Sequence, residues 1–180
     1  MVLLSSVVLS CTTQRKSAEY YYKNEKMITE VRQIYDSLYA HQPFSVGFTD
    51  KTFTYYTMEV TTDTVRYVYN TEKSGKRLYQ TILKFNYDTL LLEDLSVKMK
   101  EIKCLWLDKS FFYIDEKKVA VTFLSFKSVA IDKPFVENKY YILLFLEHPL
   151  EHQEMKARIK KGNIVKINDL VYFGIGQRFR

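Results

Sequence analysis

The hydrophobic period of this chain changes after Pro43, from a helical repeat before it to a two-residue repeat beyond it. Between Ala18 and Ala40 there is no glycine and no proline, and apolar residues fall at Tyr20, Met27, Val31, Ile34 and Leu38, with Tyr35 beside them. Intervals of three and four residues place these side chains on one face of a helix. Glu19, Lys23, Glu25, Lys26, Glu30 and Arg32 supply the solvated face. Ser17 is positioned to cap the start, and Pro43 helps to end it.

Beyond Pro43 the chain reads as strand after strand. Thr52 to Val60 is rich in Thr, Tyr and Phe, and Val65, Tyr67 and Tyr69 alternate with polar residues. Two such runs around a short polar break read as a hairpin. Lys73 to Lys76 is expected to turn, and Leu78 to Phe85 to resume a strand. Residues 89–107 carry two patterns at once. Leu95, Val97 and Met99, then Ile102, Cys104 and Trp106, alternate with a slip at Glu101, as in a long strand with a bulge. Leu91, Leu95, Met99 and Ile102 fit a helix equally well; the strand is the preferred reading. Asp108-Lys109 and Asp115 to Lys118 are read as turns around Phe111 to Ile114. Val119 to Phe126 and Tyr140 to Leu146 read as buried strands. Pro149 opens a short helix to about Lys161, with Gly162 behind it. Ile164 to Ile167 and Leu170 to Ile175 close the chain as a hairpin.

The expected fold is therefore α+β: a mainly antiparallel sheet of about nine or ten strands, with one long N-terminal helix and one short C-terminal helix. A sheet curled around a helix, with a half-barrel of calycin type as the neighbouring architecture, would enclose an apolar pocket. A chain of 180 residues is enough for one domain with a real core. With 5 Gly, 3 Pro and 27 aromatic Tyr and Phe (15 and 12), it is neither a linker nor a disordered tract. The net charge of +6 is a mild basic bias, without any long run of like charge.

The first residues have a composition of their own. Val2 to Ser10 are uncharged and mostly apolar, and after Cys11 the chain turns polar at once with Thr12, Thr13, Gln14, Arg15 and Lys16. The apolar run is too short to span a membrane and has the length of a signal-peptide core. Val8-Leu9-Ser10-Cys11 resembles the lipobox of bacterial lipoproteins, in which an apolar residue, a variable one and a small one precede an obligatory cysteine. The resemblance covers residues 1–17. It implies cleavage before Cys11, lipid on that cysteine and an address in the bacterial cell envelope. Residues 1–10 are then a signal peptide, 11–17 a tether and 18–180 a single α+β domain. No Lys or Arg precedes the apolar run, so the leader is expected to begin upstream of Met1.

The chemistry-bearing residues are few. With Cys11 lipidated, Cys104 has no intramolecular partner and reads as a small buried hydrophobe. No Cys-X-X-Cys occurs, which removes thioredoxin-like and zinc-ribbon classes. Of the 3 His, His148 and His152 share the segment Glu147 to Glu154 at helical spacing. They are the weak candidates for a metal site, although the order of residues is not that of a metalloprotease. There is no phosphate-cradling glycine loop, Gly174-Ile-Gly176 having no helix after it, and no Gly-X-Ser-X-Gly elbow. The paired carboxylates Glu93-Asp94 and Asp115-Glu116 read as solvated. Tyr20-Tyr-Tyr22 and Lys139-Tyr-Tyr141 read as packing rather than nucleic-acid platforms, with a headgroup-layer position for Tyr20 to Tyr22 as the functional alternative.

The expectation is a lipid-anchored envelope protein of non-enzymatic binding or assembly role. Its partners would be the membrane, through Cys11, and possible envelope proteins; nucleic acid is not expected, and no cofactor is called for. The alternatives are a carrier of an apolar ligand in a Phe/Tyr-lined pocket and an envelope hydrolase.

Overall fold

The computed structural model describes residues 5–50, 52–63, 66–70, 75–114, 116–127, 140–149, 156 and 164–176. Helix α1 (Ser5–His41) comes first, followed by strands β1 (Phe44–Phe48), β2 (Tyr56–Thr61) and β3 (Arg66–Asn70). Helices α2 (Gly75–Lys84) and α3 (Thr89–Glu101) intervene before β4 (Cys104–Ile114), β5 (Lys117–Lys127), β6 (Tyr140–Leu146), β7 (Ile164–Lys166) and β8 (Val171–Gly176). The strands form one antiparallel sheet in the order β3-β2-β1-β4-β5-β6-β8-β7, with β3 and β7 at its edges among the described residues.

Alternation along the strands gives the sheet two apolar faces. On one face, cross-strand partners line up as Met58, Val46, Leu107, Leu124, Leu143, Phe173 and Val165, one from each successive strand between β2 and β7. Helix α1 lies over this row. Its buried residues are Tyr21, Ile28, Val31, Tyr35 and Leu38, while Tyr20, Met27 and Ile34 pack at their flank. The apolar stripe is thus wider than the sequence intervals suggest, and its centre lies one residue further along. The helix crosses the sheet from the β6–β8 side, where Tyr21 meets Phe145, to β1, where the Tyr35 hydroxyl donates to the Phe44 carbonyl at 2.6 Å. On the other face Val121, Leu144, Leu146 and Tyr172 form a second buried cluster.

Several expectations are corrected. Helix α1 does not begin at Ser17 but runs through it from Ser5, because nothing between these positions breaks a helix. Leu78 to Phe85 is not a strand. It belongs to α2 and to the turn that follows, where Thr81 is buried and Ile82 and Phe85 lean on the core. Residues 89–101 are not strand either. Leu92, Leu95, Met99 and Ile102 are buried at helical spacing, and Asp88 caps α3 by accepting from the amides of Leu90 and Leu91 at 2.9 and 3.0 Å. Asn86 and Lys103, with φ of 54° and 53°, turn the chain after α2 and α3.

Asp108-Lys109 is not a turn but the middle of β4. Strand β1, absent from the sequence reading, is fully buried. The described residues hold eight strands where about nine or ten were expected: two of the expected strand segments are helical, and β1 is added. Of the short helix expected from Pro149 to Lys161, Pro149 and Lys156 are described; Lys156 is helical, and the rest lies outside the described residues.

Candidate functional site

The residues marked by sequence do not converge. Cys11 lies on the backbone of α1, and its side chain is outside what is described. His148 is exposed in the bend after β6, and His152 lies outside the described residues. Among the described residues, no group of three or more His, Cys, Asp or Glu is placed to hold a metal. No helix among them is long and apolar enough to cross a membrane.

Cys104 is buried, and its thiol reaches the Trp106 carbonyl at 3.5 Å. Burial pushes the thiol pKa far up, so it stays protonated and unreactive. Of the three consecutive tyrosines, Tyr20 and Tyr21 serve packing. The Tyr20 hydroxyl donates to the Ile102 carbonyl, its ring meets Phe126 edge-on at 5.3 Å, and Tyr21 is buried. Tyr22 is exposed and donates to the Ile167 carbonyl at 3.3 Å.

What the fold does assemble runs along β4. Alternation puts Leu107, Lys109, Phe111 and Tyr113 on the face that α1 covers further down the strand. Leu107 is in the core, Lys109 is at the rim of the helix, and Phe111 and Tyr113 are exposed. At the rim, Lys109 bridges two distant parts of the chain. Its ammonium lies 3.0 Å from Glu147 after β6 and 3.4 Å from Asp36 on α1, with the Tyr39 ring 5.6 Å away. Burial alone would lower its pKa, but the hydrogen bond it donates to Glu147 and the charges of Asp36 and Glu147 outweigh this and raise the value. Arg32 lies over the Phe145 ring at 4.4 Å. Burial lowers its pKa against the opposing charges of Asp36, Tyr21 and Glu147, and it remains a cation.

Further out, the rings of Phe111 and Tyr113 meet edge-on at 6.2 Å. Lys118 stands opposite Tyr113 across the hairpin and lays its ammonium 3.6 Å from the centre of the Phe111 ring. This is a cation–π contact, and both rings of the pair are exposed. The array offers apolar contact with a fixed positive charge beside it, which is the chemistry of recognition.

Sequence reasoning did not single out Lys109, Phe111, Tyr113 or Lys118. The signal was present in the alternation of Lys109, Phe111 and Tyr113 just before Lys117-Lys118. Reading Asp108-Lys109 as a turn interrupted it. Comparison with protein-family models, with curated proteins and with solved structures finds no match.

Proposed function

We propose that this protein is a bacterial cell-envelope lipoprotein, tethered by lipid on Cys11 and presenting its α+β domain as a non-enzymatic binding or assembly component. The observation that carries the anchor is Val8-Leu9-Ser10-Cys11 together with the abrupt change to polar residues behind it. More than one acyl chain on such a cysteine makes attachment stable, since each buried methylene contributes about 0.8 kcal/mol and a single chain binds only marginally. The exposed Phe111–Tyr113 pair with Lys118 supports a binding role over a carrier or a hydrolase, because it places aromatic surface at the solvent.

An intact mass of the native protein tests the anchor. The expected result is a chain that begins at Cys11 and carries acyl groups. Cys11→Ser is expected to move the protein from the membrane fraction to the soluble one. A bare thiol with residues 1–10 still attached, or a variant that continues to sediment with membranes, overturns the reading.

A further inference from the structure

The outer face of α1 is as ordered as the face it buries. At about 100° per residue, Arg15, Lys16, Glu19, Tyr22, Lys23 and Lys26 fall within an arc of about 120° on the helix. That arc lies away from the stripe of Tyr21, Ile28, Val31, Tyr35 and Leu38 that packs on the sheet. Glu19, Tyr22, Lys23 and Lys26 are all exposed. The arc thus holds four cations and one acid. Glu25 falls outside it and accepts from the Tyr21 hydroxyl at 3.1 Å. Beyond Lys26 the excess of positive charge ends, because Glu30 is held by Lys98 at 2.9 Å and Gln33 and Ser37 are uncharged. Cys11 stands four residues before Arg15, one helical turn away and on the same side of α1. The basic half of the outer face is therefore the half next to the cysteine.

We infer that the outer face of α1 from Arg15 to Lys26 docks on an anionic phospholipid bilayer, with the helix lying along the membrane surface and the sheet above it. Lipid on Cys11 is what brings that surface opposite the helix, so the docking rests on the anchor reading. Lysine and arginine are drawn to negative headgroups, but the attraction fades within a Debye length. It acts only where the cations are held close, and an anchor on the same face of the same helix holds them so. Arg15 to Lys26 spans about 16 Å of helix, and cations spread so far along one face suit an extended anionic surface better than a compact anion. Tyr22 adds an amphipathic ring of the kind favoured at headgroup level. Its hydroxyl is engaged with the Ile167 carbonyl, while its ring remains exposed. Tyr20 and Tyr21 are turned inward and take no part.

The full chain carrying Cys11→Ser has no site for lipid, so it tests the face apart from the anchor, whose own test is the intact mass. On its own the face binds weakly, and the assay is therefore run at low salt, where screening is least. Sedimentation with phosphatidylcholine vesicles, with and without phosphatidylglycerol, is expected to show stronger binding where phosphatidylglycerol is present and release on adding salt. Lys23→Gln together with Lys26→Gln is expected to weaken that binding about thirtyfold, while Lys118→Gln on the β4–β5 hairpin leaves it unchanged. These lysines are exposed, so folding persists, and the near-UV signal of Trp106 checks that it does. On the vesicles Tyr22 is expected to lose hydroxyl-radical labelling while the exposed Tyr113 keeps its own. Equal binding to both kinds of vesicle overturns the inference. So does a loss with Lys118→Gln as large as that of the α1 pair, or a Tyr22 that stays labelled in the bound state.

Discussion

A Cβ atom on Gly47 would collide with the carbonyl oxygen of Leu105, so no side chain fits where these two residues meet. Leu105 is the extra residue of a bulge, since Cys104 pairs with Phe126 and Trp106 with the adjacent Ser125. The bulge pushes the Leu105 carbonyl towards β1 and lays the Trp106 indole across Gly47, whose missing Cβ would lie 2.7 Å from Cε3. The glycine and the bulge require each other.

Gly47→Ala is therefore expected to lower stability by about 3 kcal/mol, because backbone and not a flexible side-chain end must move. Urea unfolding followed by Trp106 fluorescence measures it. A variant as stable as the parent would show that the β1–β4 register is wrong.

Lys109 ties α1 to the end of β6 through Asp36 and Glu147. Lys109→Met leaves those carboxylates facing each other and is expected to cost about 1 kcal/mol at low salt, the partly exposed setting limiting the effect. Added salt should shrink the difference. The raised lysine pKa means the contribution is complete below the ordinary value of 10.5 and is lost only as pH rises through the higher folded value. A mutational cost that grows with salt, or that fades already near neutral pH, would contradict this picture.

Asp50 organises the β1–β2 connection. Its carboxylate accepts from the amides of Thr52 at 3.1 Å, Thr54 at 3.0 Å and Tyr55 at 2.6 Å, and from the Thr52 hydroxyl. Desolvation works against the charge, but these four donors prevail and hold its pKa down to about 2, against an ordinary 3.8. The unfolded chain therefore takes up the proton first on acidification. The contribution of Asp50 is present above 3.8 and disappears as pH falls through about 2. Asp50→Ala is expected to cost about 1 kcal/mol at neutral pH, as the loss of a capping carboxylate does, and the difference should vanish at the acid end. Denaturation of the two proteins over an acid pH series, with NMR titration of the Asp50 carboxyl, checks both statements.

Much of the sheet was legible because burial on alternate positions leaves a local trace. β2, β5, β6 and the β7–β8 pair follow runs that the two-residue period marks out. The same period misled at 89–101, where Leu95, Val97 and Met99 also alternate. Only Leu95 and Met99 of these are buried, and Val97 is exposed on the far side of α3. A local cue existed in Asp88, whose side chain serves the first turn of the helix. The candidate site was less legible than the fold. Lys109 owes its place to Asp36 and Glu147, which come from distant parts of the chain, and charges so far apart in sequence leave no pattern to read.

The amino-acid sequence alone established the long N-terminal helix, the antiparallel α+β class and the composition break at Cys11 that carries the anchor proposal, because each is set by neighbours along the chain. Only the tertiary structure decided that α3 is a helix, that Gly47 must lack a side chain and that Phe111 and Tyr113 remain uncovered while Leu107 does not. Those outcomes depend on what packs across the sheet: α1 stops short of the end of β4, and a side chain's burial is settled by the element that lies over it.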